Sequence, residues 1–208
     1  GVEEKCTGDP ARRIGNEYLF QMLAQENIAT LNRYNVKKVL TSCPHCFNTL
    51  KHEYPQFGGH YKVIHHSEFF DALVKEGRLP LPTSPPSRGR EWVGVTYHDP
   101  CYLGRHNGIC EPPRAVLQAF PNLTLKEMRR CREKGFCCGA GGGLMWIEEK
   151  IGKRVSLERT EEVLGTGAEV VASACPFCLI MLEDGLAVTG RKGEVRAVDL
   201  AELLSEAL

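Results

Sequence analysis

The sequence predicts an α/β protein made of two repeated cysteine-rich units, each with a small, mainly parallel sheet flanked by helices. Three observations predict it. The runs Val36-Lys-Lys-Val-Leu-Thr-Ser-Cys43-Pro-His-Cys46 and Ala168-Glu-Val-Val-Ala-Ser-Ala-Cys175-Pro-Phe-Cys178 repeat one pattern: a short apolar strand, then Cys-Pro-x-Cys, then a helix-compatible segment. Cys43 stands 37 positions after Cys6, and Cys175 stands 37 positions after Cys138. Strand and helix signals alternate throughout, which is the pattern of α/β units with largely parallel central strands.

In chain order, the first unit covers residues 1–77. It opens on Cys6 and continues with one long helical stretch from Ala11 to Tyr34, the strand before Cys43, a strand from Tyr61 to Ile64 and a helix from Ser67 to Lys75. Residues 78–91 carry Pro80, Pro82, Pro85 and Pro86 among Ser and Gly, a composition expected of an extended linker. The second unit, residues 92–208, starts with a strand from Trp92 to Tyr97. A helical stretch from Leu144 to Leu164 follows, then the strand before Cys175, and finally Val195 to Val198 and Ala201 to Leu208, which match the end of the first unit. The second unit runs for 45 residues before its Cys137-Cys138 pair, whereas only five residues precede Cys6. With Gly1 in place of Met, the expectation is a C-terminal fragment of a longer protein that begins mid-repeat.

Twenty-six basic and 26 acidic residues cancel, so no global field favours nucleic acid or an anionic membrane. No apolar run reaches the roughly 20 residues that span a bilayer, and the charged N-terminus lacks a signal-peptide pattern. The expected location is the cytoplasm, at the inner face of a membrane if upstream regions anchor the protein there.

Ten cysteines and seven histidines are the anomaly. A disulfide framework suits small secreted scaffolds, whereas this chain can bury a core without staples. Cys43/Cys46 and the vicinal Cys137/Cys138 are also poor structural bridges, because short loops gain little entropy and a vicinal bridge is strained. Metal ligation or redox work fits better. Thiolate is a soft anionic ligand that suits iron–sulfur clusters and zinc. Cys-Pro-x-Cys lets both sulfurs face one centre as the chain leaves a strand. Gly139 and the glycines after it permit close backbone approach, and their amides can donate to sulfur.

Cys101, then Cys137-Cys138-Gly139, then Cys175-x-x-Cys178 resembles the cysteine-rich CCG domain, and coverage is essentially the whole chain. That domain occurs, usually as a tandem pair, in heterodisulfide reductase and in related iron–sulfur oxidoreductases. In the heterodisulfide reductase branch five cysteines hold a noncubane 4Fe–4S cluster. The resemblance implies that role for Cys101, Cys137, Cys138, Cys175 and Cys178. The first unit departs from the pattern, since Lys5 stands where the vicinal pair would have its first cysteine. Only Cys6, Cys43 and Cys46 match, which implies a second, unlike metal site for zinc or a conventional cluster, incomplete within this chain. The stretch from Cys6 to Phe20 (Cys-Thr-Gly-Asp-Pro-Ala-Arg-Arg-Ile-Gly-Asn-Glu-Tyr-Leu-Phe) resembles a membrane-associated subset of the family, in which electrons pass from electron-transfer flavoprotein to quinone.

Other groups have plainer expectations. Cys110 and Cys131 read as small buried hydrophobes, although Arg129, Arg130 and Arg132 around Cys131 suggest a lowered thiol pKa. His45, between two proposed ligands, should point away from the metal. His65 and His66 read as hydrogen-bonded structural groups. His98, in His-Asp-Pro-Cys, and Gly139 are candidates to surround the cluster, His98 by donating to sulfur or relaying a proton. The run from Gly139 to Leu144 fails the Gly-x-Gly-x-x-Gly pattern, which argues against a dinucleotide site. The charges of Glu148-Glu149-Lys150 suggest a solvated helix face.

The function that follows is an iron–sulfur oxidoreductase subunit. It would pass electrons between a flavoprotein or ferredoxin-type donor and a quinone or disulfide acceptor, with no nucleic-acid partner and no membrane span in this chain. The alternatives are a tandem zinc-binding interaction module and a Cys-x-x-Cys thiol–disulfide oxidoreductase.

Overall fold

The computed structural model describes residues 2–79, 94–147 and 151–207. Most of the expected 78–91 linker lies outside them, as do Trp92 of the expected strand and Glu148-Glu149-Lys150.

The single helix expected over Ala11 to Tyr34 is two helices, α1 (Asp9–Arg13) and α2 (Glu17–Arg33). Gly15 turns the chain at φ 86°, and the Asn16 side chain accepts a hydrogen bond from the Leu19 amide at 3.1 Å. A capping Asn satisfies an amide that would otherwise be orphaned, so a second helix starts there. Asn16→Ala is expected to cost about 1 kcal/mol in urea denaturation with an unchanged slope. An unchanged midpoint would show that the cap adds no stability. On α2, Phe20, Ala24, Asn27 and Ile28 recur at helical spacing on the buried face and pack with Ala11, Leu50 and Tyr54. Asn27 is the polar member of that face. Its amide bonds the backbone of Lys5 and Cys6 and the Tyr54 hydroxyl, tying the Cys6 segment to the helix.

Strand β1 (Lys38–Thr41), helix α3 (Pro44–Asn48), a π turn over Thr49–Glu53 and a 3-10 turn over Tyr54–Phe57 lead to β2 (Lys62–His65) and α4 (His66–Lys75). β1 and β2 pair in parallel, Lys38 opposite Lys62 through Thr41 opposite His65.

In the second unit, β3 (Val95–His98) is followed by α5 (Cys101–Asn107) and α6 (Glu111–Gln118). Later come α7 (Val155–Leu164), β4 (Val170–Ser173), α8 (Pro176–Val188), β5 (Arg196–Asp199) and α9 (Leu200–Ala207). All three strands are parallel, with β4 in the centre. Every residue of β3 and β4 is buried, as expected of a parallel sheet covered on both faces. Val95, Tyr97, Leu117, Val198 and Leu203 belong to one core cluster, and Met128, Val163, Val171, Leu182 and Leu186 to another. The helix expected from Leu144 starts only at Val155. Gly141–Trp146 is instead a 3-10 turn in which Gly142 and Gly143 take positive φ, outside the helical region.

The fold is therefore α/β with two repeated units. β1-α3-β2-α4 corresponds to β4-α8-β5-α9, as the duplicated sequence predicts. The units pack closely. α4 lies on α6, α3 on α5, and α1 against the Gly141–Trp146 turn. Phe70 and Leu79 join the second unit's core. His66 Nε2 lies 3.1 Å from Asp199, and Asn107 donates to Asn48 at 3.1 Å.

Candidate metal centre

Because β3 and β4 are parallel neighbours, the residues that leave their carboxyl ends arrive side by side, the usual location of sites in such sheets. Cys101 opens α5 behind Pro100, and Cys175 caps α8 with Pro176 in its first turn. Proline suits that turn because its missing N–H would have no helical partner anyway. Cys43 repeats the arrangement at α3, where its sulfur accepts from the Cys46 amide at 3.5 Å. Cys137 and Cys138 come from the loop before α7. Their approach depends on Gly139, which sits at φ 94°. A Cβ there would stand 3.1 Å from the Ser156 amide nitrogen and 3.3 Å from Val155 Cβ.

The five thiols of the second unit meet. Side-chain hydrogen bonds link Cys101 to Cys137, Cys137 to Cys138, Cys138 to Cys178 and Cys178 to Cys175. Cys138, Cys175 and Cys178 are buried, and Cys101 and Cys137 are partly exposed. The protons are shared unevenly along this line. Hydrogen bonds from Cys101 and Cys138 hold the Cys137 thiol down to about 2, helped by the Gly139 amide 3.3 Å from its sulfur. Cys138 is pushed up to about 12 by Cys137, and Cys101 is also raised by Cys137. Cys178 lowers Cys175 and is itself raised by Cys138 and Cys175. Thiolate character thus falls on Cys137 and Cys175, while Cys101, Cys138 and Cys178 keep their protons, because packed sulfurs at low dielectric cannot all carry charge unaided. All five become thiolates only around a cationic centre, so the donor set fits an iron–sulfur core.

A ring nitrogen of His98 and the sulfurs of Cys138 and Cys178 lie within 4.8 Å of one another. His98 is fully buried. Its Nδ1 is 2.9 Å from Arg159 Nε, and its Nε2 has no hydrogen-bond partner among the described residues. Burial leads the causes that drop its pKa well below the ordinary imidazole value, with the Arg159 charge second, so the ring is neutral. An orphaned buried donor costs about 1–3 kcal/mol, which a sulfur acceptor in the pocket would offset.

In the first unit Cys43 and Cys46 share a hydrogen bond that raises Cys43 and lowers Cys46 to about 7, with Thr7 Oγ1 donating to Cys46 at 3.4 Å. Cys6 is exposed and forms no group of three with them within 4.8 Å among the described residues. Lys5, in the place of a vicinal cysteine, pairs with Glu26 at 2.6 Å. The two cysteine groups also adjoin each other, since the Cys175 charge acts on Cys43 and on His45.

His45 is buried, stacked 4.2 Å from Tyr102 and edge-on to Phe177, with Nδ1 2.8 Å from Asp9. It bridges the units beside a shallow pocket lined by Arg13, Ala140, Gly142, Trp146 and Phe177. Cys110 is buried, as expected. The lowered pKa expected for Cys131 is not found. Burial and the Glu127 charge raise it, while Arg130 pairs with Glu158 and Glu162 and Arg132 with Glu111. Sequence reading also missed Arg159, Arg114 and Asp9. The one available signal was phase: Arg159 shares the buried face of α7 with Ser156, Thr160 and Val163.

The family described as CCG, cysteine-rich domain, matches residues 2–51 and 95–183. The chain belongs to the CCG cysteine-rich domain family. The matched CCG segments contain all ten cysteines, among them the eight that follow the repeated pattern. The chain is 46% identical over 208 residues to the probable iron-sulfur-binding oxidoreductase FadF of Bacillus subtilis. It is 45% identical over 215 residues to the EtfAB:quinone oxidoreductase of Syntrophomonas wolfei. It is 35% identical over 214 residues to one component of the dihydromethanophenazine:CoB--CoM heterodisulfide reductase of Methanosarcina acetivorans. Each alignment covers 100% of this CCG chain, which spans 29% of the first two relatives and 50% of the third. No helix among the described residues is long and apolar enough to cross a membrane.

Proposed function

We propose that this chain is the cluster-bearing part of an iron–sulfur oxidoreductase, with Cys101, Cys137, Cys138, Cys175 and Cys178 as ligands of a noncubane 4Fe–4S cluster. The observation that carries the reading is the meeting of five thiols from three distant stretches, one more than the four ligands of a structural zinc site. A bound cluster supplies one-electron uptake and release. The chain contributes the ligands, their burial and the hydrogen bonds that set the potential. The Gly139 amide already donates to Cys137, and helix α8 presents its N-terminus to Cys175. Residues 1–77 and 92–208 are the two repeats, joined by 78–91. Cys43 and Cys46, with Cys6, belong to a second, unlike site for zinc or a conventional cluster.

The names of the relatives support an electron path from electron-transfer flavoprotein, or a ferredoxin-type donor, to a quinone or disulfide acceptor. We favour the flavoprotein–quinone direction, because the relative named for it is 45% identical, against 35% for the heterodisulfide reductase component.

Anaerobic purification with iron, sulfide and zinc quantitation tests the proposal. A brown protein with near-equal iron and sulfide is expected, and Cys138→Ser is expected to abolish the visible spectrum. Zinc alone would favour an interaction module. Absence of any metal would favour thiol–disulfide exchange, and an unchanged Cys138→Ser spectrum would remove that residue from the site.

A further inference from the structure

Arg159 and His98 form a pair whose chemistry runs against first appearances. A histidine nitrogen within 4.8 Å of two cysteine sulfurs resembles three ligands of a mononuclear metal site. A ligating nitrogen must present a lone pair, and a metal-bound histidine then donates its other N–H to an acceptor. The group beside His98 Nδ1 is a guanidinium, which carries five N–H donors and no acceptor. Arg159 Nε lies 2.9 Å from Nδ1, so Nδ1 accepts and the proton of the neutral ring resides on Nε2.

Arg159 is held so that this bond is maintained. It is fully buried on α7, and its Nη1 donates to the Arg130 carbonyl and to Glu162, both at 2.9 Å. The backbone of His98 is held in β3, where the Ser173 hydroxyl of the neighbouring β4 donates to the His98 carbonyl at 3.2 Å. What remains is one buried N–H, on a ring that has a nitrogen within 4.8 Å of the Cys138 and Cys178 sulfurs.

We infer that His98 is an N–H donor to sulfur rather than a metal ligand, and that Arg159 is the positioning residue that sets its tautomer. Donation to a thiolate or sulfide stabilises negative charge and so favours the reduced cluster. The effect on potential rests on the five-thiolate reading above, whereas the tautomer does not.

Two measurements test this separately. Nitrogen-15 NMR of the metal-free, histidine-labelled chain under reducing conditions is expected to show Nε2 protonated and Nδ1 bare. A proton on Nδ1 would overturn the inference whether or not the chain binds a cluster. Arg159→Met, which keeps the stem and removes the donor, is expected to lose that tautomer preference, and an unchanged preference would overturn the role of Arg159. In the cluster-loaded chain, His98→Leu is expected to shift the midpoint potential to a more negative value. His98→Gln, whose amide can donate, should recover part of the shift, and equal potentials in His98→Leu and the unsubstituted chain would overturn the donor role. If the buried substitutions prevent folding, the spectrum of the unsubstituted chain still decides the tautomer. Failure to take up iron and sulfide would sink the cluster reading and, with it, only the effect on potential.

Discussion

Arg114→Met is expected to destabilise the protein by about 3–5 kcal/mol, because it strands a buried carboxylate. Arg114 is almost fully buried. It donates to both oxygens of Asp99 at 2.7 and 2.9 Å and to both oxygens of Glu127 at 2.6 and 2.9 Å. Burial alone would lower its pKa, but its hydrogen bonds to the two carboxylates outweigh burial and hold it above the ordinary value. Glu127 is one-third exposed and can turn to water, whereas Asp99 cannot. Asp99 also accepts from the Arg132 amide at 2.7 Å and lies two residues before Cys101, so its anchoring fixes how that cysteine leaves β3. Domains of this kind are stable by about 5–15 kcal/mol in total, so the loss would be a large share of the whole. Urea denaturation measures it. Adding Asp99→Asn should restore part of the stability by removing the stranded charge. A cost below about 1 kcal/mol would mean that the triad behaves like a surface pair.

Gly185→Ala should produce the second large loss, at the site where α7 and α8 cross. A methyl group at Gly185 would fall within the Thr160 hydroxyl and stand 3.1 Å from Thr160 Cβ and 3.4 Å from the Ser156 carbonyl oxygen. That hydroxyl is held by its own bond to the Ser156 carbonyl at 2.9 Å and cannot swing aside at no cost. Overpacking of this kind costs about 1–3 kcal/mol, and here the upper end is expected. The Thr160→Ala/Gly185→Ala double variant should recover much of it, and thermal denaturation of the set gives the coupling directly. A neutral Gly185→Ala would show slack between the helices. Since α7 begins beside Gly139, the single variant should also disturb the Cys137-Cys138 approach.

Much of the architecture was legible because the duplicated segments carry local signals. The apolar runs of β1 and β4 end in Cys-Pro-x-Cys, and β2-α4 and β5-α9 follow, each helix starting directly after its strand. The helix break at Gly15-Asn16 was missed because the flanking apolar pattern stays in phase across it. α5 and α6 were also missed. Gly104, Pro112 and Pro113 discourage a helical reading, although the first turn of α6 tolerates proline. The cysteine set was legible through the repeat, since the 37-residue offset survives in both copies. Arg114, Arg159 and the Asp9–His45 pair were not. A charged residue in a helix reads as solvated, and the burial of these groups depends on partners 13 to 61 positions away, which no local spacing encodes.

Strand β4 has a neighbour on each side, and it delivers Cys175 at its end. The backbone two residues before that sulfur is bonded on both sides, to β3 and to β5. The opposite end of the donor set, Cys137-Cys138, leads into a 3-10 turn in which added side chains at Gly141 and Gly142 would meet open space. The cage is therefore stiff on the Cys175 side and compliant beyond Cys138. Any relaxation that accompanies a change of charge will be taken up beside the vicinal pair, while the sheet stays still.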